Sequence, residues 1–332
     1  MAGLTLLIVH PGGLGDVLLS LPGMQALRST FPYHEVGLIA GQAVGAILQE
    51  CRVVDQLFPT ESRVLADLFA GPSAVARNVR EWMFHCELAV CWMADRDGTV
   101  TRSLQQLGVR RVVMRSVGDL PADVRHQADR FLDTIEDLVQ GITPERYLCL
   151  PEPVRQAGAQ ILKQQMGGTR QPVVVLHPGS GSRHKCCRPE VMAQLVDWLH
   201  HEGAVPVLLQ GPADERAPSE VAQACRIAPI LLENLDLVSV AGVLAHAACV
   251  VGHDSGISHL AAVLHVPTVV LFGPTDPKRW APRGRHVTVL TGPCCHCKTW
   301  GAVQQCGAKP CLQIPADDAI AACAQALQKQ CI

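Results

Sequence analysis

Three short stretches carry the residue types from which chemistry could be built. Each places small residues beside a charged or hydroxyl side chain. The first is His10-Pro11-Gly12-Gly13-Leu14-Gly15-Asp16, the second His177-Pro178-Gly179-Ser180-Gly181-Ser182-Arg183-His184-Lys185, and the third Gly252-His253-Asp254-Ser255-Gly256-Ile257-Ser258-His259. Glycines let a backbone approach a ligand closely, and amide groups at the start of a helix attract anions. Small residues followed by Lys185 make an anion cradle, with backbone N–H groups and an ammonium facing phosphate oxygens. In the third loop Ser255 and Gly256 offer N–H groups to a phosphate, and Asp254 can accept hydrogen bonds from sugar hydroxyls. Asp16 has two readings: a carboxylate poised to take a proton, or an N-cap that satisfies the first amides of a helix. Asp254-Ser255-Gly256 is also common turn chemistry, and His259 taken alone reads as a helix-face residue.

Several familiar patterns are absent. Glycines at 12, 13 and 15 do not form G-x-G-x-x-G, the second loop lacks G-x-x-x-x-G-K-[ST], and Gly252 to Gly256 is not G-x-S-x-G. A dinucleotide fingerprint, a P-loop and a serine-hydrolase elbow are thereby set aside.

A fourth cluster lies near the end of the chain. Of 15 cysteines, five fall between Cys294 and Cys311. The run Cys294-x2-Cys297-x8-Cys306-x4-Cys311 has spacings compatible with a structural zinc or iron site, with Cys295 as a spare thiol. Reduced cysteines in a surface loop are the other reading. With no basic region before the first apolar run, the sequence does not read as secreted, so thiols are expected and not a disulfide framework. The expected compartment is the cytoplasm. Cys91 and Cys249 sit in apolar runs as small hydrophobes.

Those loops need elements to position them. Short β-branched runs alternate with longer amphipathic stretches, the pattern of βα units around a parallel sheet. Strands are expected at Leu4–Val9, Val36–Ala40, Leu88–Trp92 and Arg111–Met114, with helices at Val17–Thr30, Val44–Glu50, Ala74–Phe84 and Arg125–Gln140. A second series begins with strands Val173–His177, Val205–Leu209, Ile230–Leu232, Cys249–Gly252 and Thr268–Phe272. Between them come helices Glu190–His201, Asp214–Cys225, Val238–Ala247 and Ile257–Leu264. Every candidate loop then leaves the carboxyl end of a strand, where open parallel sheets bind ligands. The spacing predicts an α/β domain over 1–150, a linker over 151–172 and a second α/β domain over 173–332, whose last helix is placed to pack back on the first.

Composition agrees with two buried cores: 332 residues, 48% hydrophobic. A net charge of −2 and 4% aromatic residues argue against duplex binding and base stacking, so no nucleic-acid partner is expected. The apolar runs Leu4 to Val9 and Leu88 to Ala94 fall short of the roughly 18–20 residues a membrane span requires.

Taken together in this order, the loops resemble glycosyltransferase family 9, the heptosyltransferases of the GT-B fold. The resemblance continues from His10–Asp16 through Val17-Leu18-Leu19-Ser20-Leu21-Pro22, then His177 to Lys185 and Gly211-Pro212-Ala213-Asp214-Glu215. It ends with Gly252 to Ala262 and Phe272-Gly273-Pro274-Thr275-Asp276-Pro277. It implies two Rossmann-like domains facing a cleft, and inverting transfer of heptose from ADP-heptose to the inner core of lipopolysaccharide without a catalytic metal. It further implies Asp16 as general base and Lys185 as the cation that neutralises the leaving diphosphate. Gly12, Gly13 and Gly15 would form a phosphate loop. Ser180, Asp254, Ser255, Gly256 and His259 would bind the donor, with Glu215 on the adenosine ribose. Association with the inner face of the cytoplasmic membrane follows from such an acceptor. Where the family usually continues Lys-x-Trp-Pro this chain has Lys185-Cys186-Cys187-Arg188-Pro189, so Cys187 stands at the Trp position. A cysteine-held iron occurs in the branch that glycosylates autotransporter proteins, which makes protein O-heptosyl transfer the nearest alternative. A catalytically silent sugar-nucleotide-binding or assembly protein is the alternative from another class.

Overall fold

The computed structural model describes residues 4–116, 125–139, 141, 145–168, 171–212, 214 and 216–328. The chain divides into two compact units, Met1–Arg146 and Tyr147–Ile332.

The first unit runs β1 (Thr5–Val9), α1 (Leu14–Leu19), α2 (Leu21–Thr30), β2 (Glu35–Ala40), α3 (Gln42–Glu50), β3 (Gln56–Pro59), α4 (Val64–Ala70), α5 (Arg77–Met83), β4 (Cys86–Cys91), α6 (Thr99–Gln106), β5 (Arg111–Met114) and α7 (Gln127–Asp133). Its strands pair in parallel in the order β3-β2-β1-β4-β5. The central strand β1 is apolar and fully buried, as expected where helices cover both faces of a sheet. Val17–Thr30, read from sequence as one helix, is two. Pro22 has no N–H to continue the ladder, and α1 and α2 meet at Ser20, whose hydroxyl donates to the Val17 carbonyl at 2.8 Å.

The second unit runs α8 (Glu152–Met166), β6 (Val173–His177), α9 (Pro189–His201), β7 (Val205–Gln210), α10 (Ala217–Ala224), β8 (Ile230–Glu233), α11 (Leu237–Leu244), β9 (Cys249–His253), α12 (Gly256–Val263), β10 (Thr268–Phe272), α13 (Pro277–Trp280), β11 (Val287–Thr291), α14 (Trp300–Gln305) and α15 (Ala316–Gln328). Its parallel sheet has the order β11-β10-β9-β6-β7-β8. The chain therefore leaves β6 in one direction through β7 and β8, and returns to its other side with β9. His177 pairs with Gly252 and Leu176 with Leu208, so the loops after β6, β7 and β9 emerge side by side. That is a topological switch point, where open α/β sheets place their ligands.

The stretch 151–172, read from sequence as a linker with a helix running to Met166, contains α8, which buries Val154, Gly158 and Leu162. A Cβ on Gly158 would collide with the backbone of Gly242, so α8 and α11 touch backbone to backbone within the second unit. The closing helix α15 buries Ala319, Ala322 and Cys323 in the second unit's own core, beside Cys249, Val251 and Leu271. Among the described residues no helix is long and apolar enough to cross a membrane.

Candidate functional site

In the second unit the loop residues expected from sequence come together. Ser180 donates its hydroxyl to the Asp254 carbonyl at 2.6 Å. The Lys185 ammonium lies 2.7 Å from Asp254 Oδ2, and Thr275 donates to the same oxygen at 2.6 Å. Lys185 stands at the end of a short 3₁₀ turn, Arg183–Lys185, that starts where Ser182 Oγ accepts from the His184 N–H at 3.3 Å. Lys185 keeps 24% of its side chain exposed and Asp254 only 9%, so the pair presents its cation to solvent and its carboxylate to the protein.

Behind this pair is a hydrogen-bonded chain that sequence reasoning did not assign. His177, at the end of β6, has Nε2 2.8 Å from Asp214 Oδ2 and Nδ1 3.2 Å from Ser255 Oγ. Asp214 also accepts from the Gly211 N–H at 3.3 Å, and its carboxylate fills the space where a Cβ on Gly179 would stand. Ser255 is the N-cap of α12 but makes no side-chain cap. His253 accepts the Cys187 N–H at 3.0 Å, and burial holds its pKa down at about 4, so it is neutral near pH 7. Cys187 packs into the core beside it, and burial pushes its thiol up to about 12. Cys187 is thus a buried thiol tied to the end of β9.

His259 is buried on α12, its N–H donating to the Ser255 carbonyl at 3.3 Å. Glu215 lies outside the described residues.

In the first unit, Gly13 is the N-cap of α1 and Asp16 is that helix's third residue, so the N-cap reading of Asp16 is corrected. Asp16 is half-buried. The Gly-rich loop folds over His10, whose Nδ1 accepts the Gly12 N–H at 3.2 Å. A Cβ on Gly12 would lie 2.7 Å from His10 Cε1 and 3.0 Å from Asp16 Cβ, which is why this position excludes a side chain. His10 packs against Trp92 and Phe131, and burial lowers its pKa to about 4.

The cysteine cluster has a different membership from that read in the sequence. Thiols of Cys295, Cys297 and Cys306 lie within 4.8 Å of one another, with Cys295 Sγ 3.0 Å from Cys297 Sγ. Cys311 lies near enough to Cys295 to perturb its thiol, and both are free cysteines. Cys294 is exposed, its sulfur directed to the Cys295 carbonyl. The reason is alternation: outside a helix, residues two apart share a side, and exposure follows suit at 295, 296 and 297. Hydrogen bonding from Cys297 lowers the Cys295 pKa, whereas that same contact raises Cys297 to about 12. A thiolate-leaning sulfur grouped with two more thiols is a donor set suited to a zinc or iron ion.

Residues 125–308 match the family model described as glycosyltransferase family 9 (heptosyltransferase). The chain is 32% identical over 296 residues to "Lipopolysaccharide heptosyltransferase 3" of Escherichia coli, covering 81% of this chain and 83% of that protein. It superposes on the crystal structure of the glycosyl transferase family 9 from Veillonella parvula DSM 2008 with a TM-score of 0.81 at 18% identity, covering 98% and 97% of the two chains. For the E. coli ADP-heptose lps heptosyltransferase II the TM-score is 0.78 at 18% identity, covering 99% and 100%. These likenesses identify the fold as GT-B.

Proposed function

Because the chain belongs to glycosyltransferase family 9, we propose that this glycosyltransferase moves a heptose from ADP-heptose to an acceptor hydroxyl of the lipopolysaccharide inner core. One observation carries the donor assignment. At the switch point of the second sheet, a partly exposed Lys185 anchored to Asp254 stands beside the N-terminus of α12, which has no side-chain cap, and both suit a diphosphate.

In this reading the second unit takes the donor and the first the acceptor. Asp16 removes the acceptor proton while the anomeric carbon is attacked in a single inverting displacement. The diphosphate leaves onto Lys185 and the Ser255–Gly256 amides, so no divalent cation is needed there. Ser180 fixes the Asp254 backbone, and Glu215 takes the adenosine ribose. A zinc or iron ion held by Cys295, Cys297, Cys306 and Cys311 would be structural, because four thiolates fill a tetrahedral site and leave no position for substrate. The work would be done in the cytoplasm, at the inner face of the membrane that presents the acceptor.

The test is to incubate the protein with ADP-heptose and either a lipopolysaccharide core acceptor or an autotransporter passenger domain, and to measure ADP release. Release only with the core acceptor supports the proposal. Release only with the protein acceptor replaces it with O-heptosyl transfer, and ADP binding without release under either condition replaces it with a silent sugar-nucleotide-binding protein. Asp16→Asn removes a base while keeping its shape, and a general base contributes about 10²–10⁴-fold. That variant should bind ADP normally and lose transfer on this scale; retention of more than roughly a third of kcat would remove Asp16 from the role.

A further inference from the structure

A serine at an N-cap ordinarily folds its hydroxyl onto the first amides of its own helix. Four other described caps in this unit do so: Ser182 accepts from the His184 N–H, Asp236 from the Ser239 N–H, Asp276 from the Lys278 N–H and Thr299 from the Ala302 N–H. Ser255 does not. Its hydroxyl points 3.2 Å from His177 Nδ1 instead.

The proton inventory explains why. A carboxylate only accepts, so the 2.8 Å contact with Asp214 Oδ2 places the imidazole proton on His177 Nε2. On a neutral ring Nδ1 accepts the Ser255 hydroxyl proton, and on a protonated ring Nδ1–H donates to Ser255 Oγ; in either state the hydroxyl is held on the histidine. Ser258, 3.4 Å from Ser255 Oγ, has its own proton committed to the His253 carbonyl at 2.6 Å. Asp214 is in turn fixed by the Gly211 N–H and by the absence of a side chain on Gly179. His177, Asp214, Ser255 and Ser258 are all buried, so water competes little for their side chains.

We infer that His177, held by Asp214, is a positioning residue that draws the Ser255 hydroxyl away from α12 and so keeps the helix's first amides open for the donor diphosphate. This rests on the donor site proposed above. Without the imidazole nitrogen, Ser255 can turn back and cap its own helix, and the diphosphate must then displace it.

Two amide substitutions separate the two ends of the ring. In His177→Gln the side-chain amide reaches the Nε2 place, so it can still donate to Asp214 and support folding, but nothing stands at Nδ1. In His177→Asn the amide oxygen stands near the Nδ1 place and can still hold Ser255. ADP affinity is measured by titration calorimetry on the full chain. H177Q is expected to bind ADP about five-fold more weakly, the scale of one side-chain cap. H177N is expected to stay within about two-fold of wild type. The decisive arm is H177Q/S255A: alanine cannot cap, so ADP affinity should recover relative to H177Q although a second residue of the site has been lost. A histidine that merely supports packing would show no such recovery. Equal losses in H177Q and H177N, or a double variant as weak as or weaker than H177Q, overturn the inference. Should H177Q fail to fold, H177N decides: retained affinity supports the inference and a five-fold loss overturns it. If wild type does not bind ADP, the donor site itself is wrong and the inference falls with it; if wild type binds and only the recovery fails, the donor site stands alone.

Discussion

Replacing Lys185 by methionine separates what the ammonium does for folding from what it does for the donor. The side chain keeps its length and apolar stem, and only the charge disappears. Asp254, 9% exposed, then retains one hydroxyl on Oδ2, from Thr275 at 2.6 Å, and no counter-charge. Breaking a fully buried ion pair costs about 3–5 kcal/mol, because a desolvated charge is left behind, whereas exposed pairs contribute about 0–1. Lys185 is one quarter exposed, so water can partly replace it, and about 1–3 kcal/mol is the expected loss. For a unit the size of Tyr147–Ile332, each kcal/mol moves Tm by about 2–4 °C. K185M should therefore melt several degrees below wild type, and K185M/D254N should regain most of this, since a neutral amide still accepts from Thr275. ADP affinity should fall in both variants, because neither has an ammonium for the phosphate. Melting curves and calorimetric titrations read the two effects separately. A K185M protein with unchanged Tm, or a double variant with no recovery, would refute the desolvated carboxylate. Recovery of ADP affinity together with stability would refute the direct role of Lys185 on the diphosphate.

Gly158→Ala should lower Tm by more than about 3 °C: the helix gains at most about 1 kcal/mol of propensity, and the clash with Gly242 is against backbone that cannot rotate away. A Tm at or above wild type would show that α8 and α11 are not in backbone contact. His10 and His253, both brought to about 4 by burial, bind fewer protons folded than unfolded between pH 6.5 and 4. Their stability is complete above pH 6.5 and is lost as pH falls towards 4, by a few kcal/mol together; a denaturation midpoint constant across that window would contradict their burial as neutral rings. Elemental analysis of untagged protein should show metal lost in Cys295→Ser and kept in Cys294→Ser, and the reverse order would restore the pattern read from spacing alone.

Much of the architecture was readable because buried parallel strands announce themselves as continuous apolar runs. β1, β6, β9 and β10 are such runs, and their carboxyl ends located all three loops. The strands that escaped, β3 and β11, lie at the sheet edges; β3 is only four residues long and β11 is largely unburied, so neither alternation nor a solid apolar run marked them. Helix α6 is largely polar and escaped for a related reason. Within the site, Lys185, Asp254 and Ser255 stood in recognisable loops. Asp214 and Thr275 stood in recognisable stretches but without a role: Asp214 meets His177 and Thr275 meets Asp254 only because the strand order brings distant positions together. His177 to Asp214 spans 37 residues and His177 to Ser255 spans 78. That Cys295 and not Cys294 lies beside Cys297 and Cys306 was not legible, because sequence spacing does not say which side of the chain a residue faces.

A carboxylate that occupies the volume of a missing Cβ also ties the histories of two distant positions together. Gly179 and Asp214 share one small space. A lineage that gained even alanine at 179 would expel the aspartate, and one that lengthened 214 to glutamate would crowd the glycine. Changes at these positions should therefore be inherited as pairs. Among related chains, a histidine closing a strand, followed two residues later by glycine and 37 residues on by aspartate, should mark those that share the His177–Asp214 arrangement and sort them from those that hold the same serine by other means.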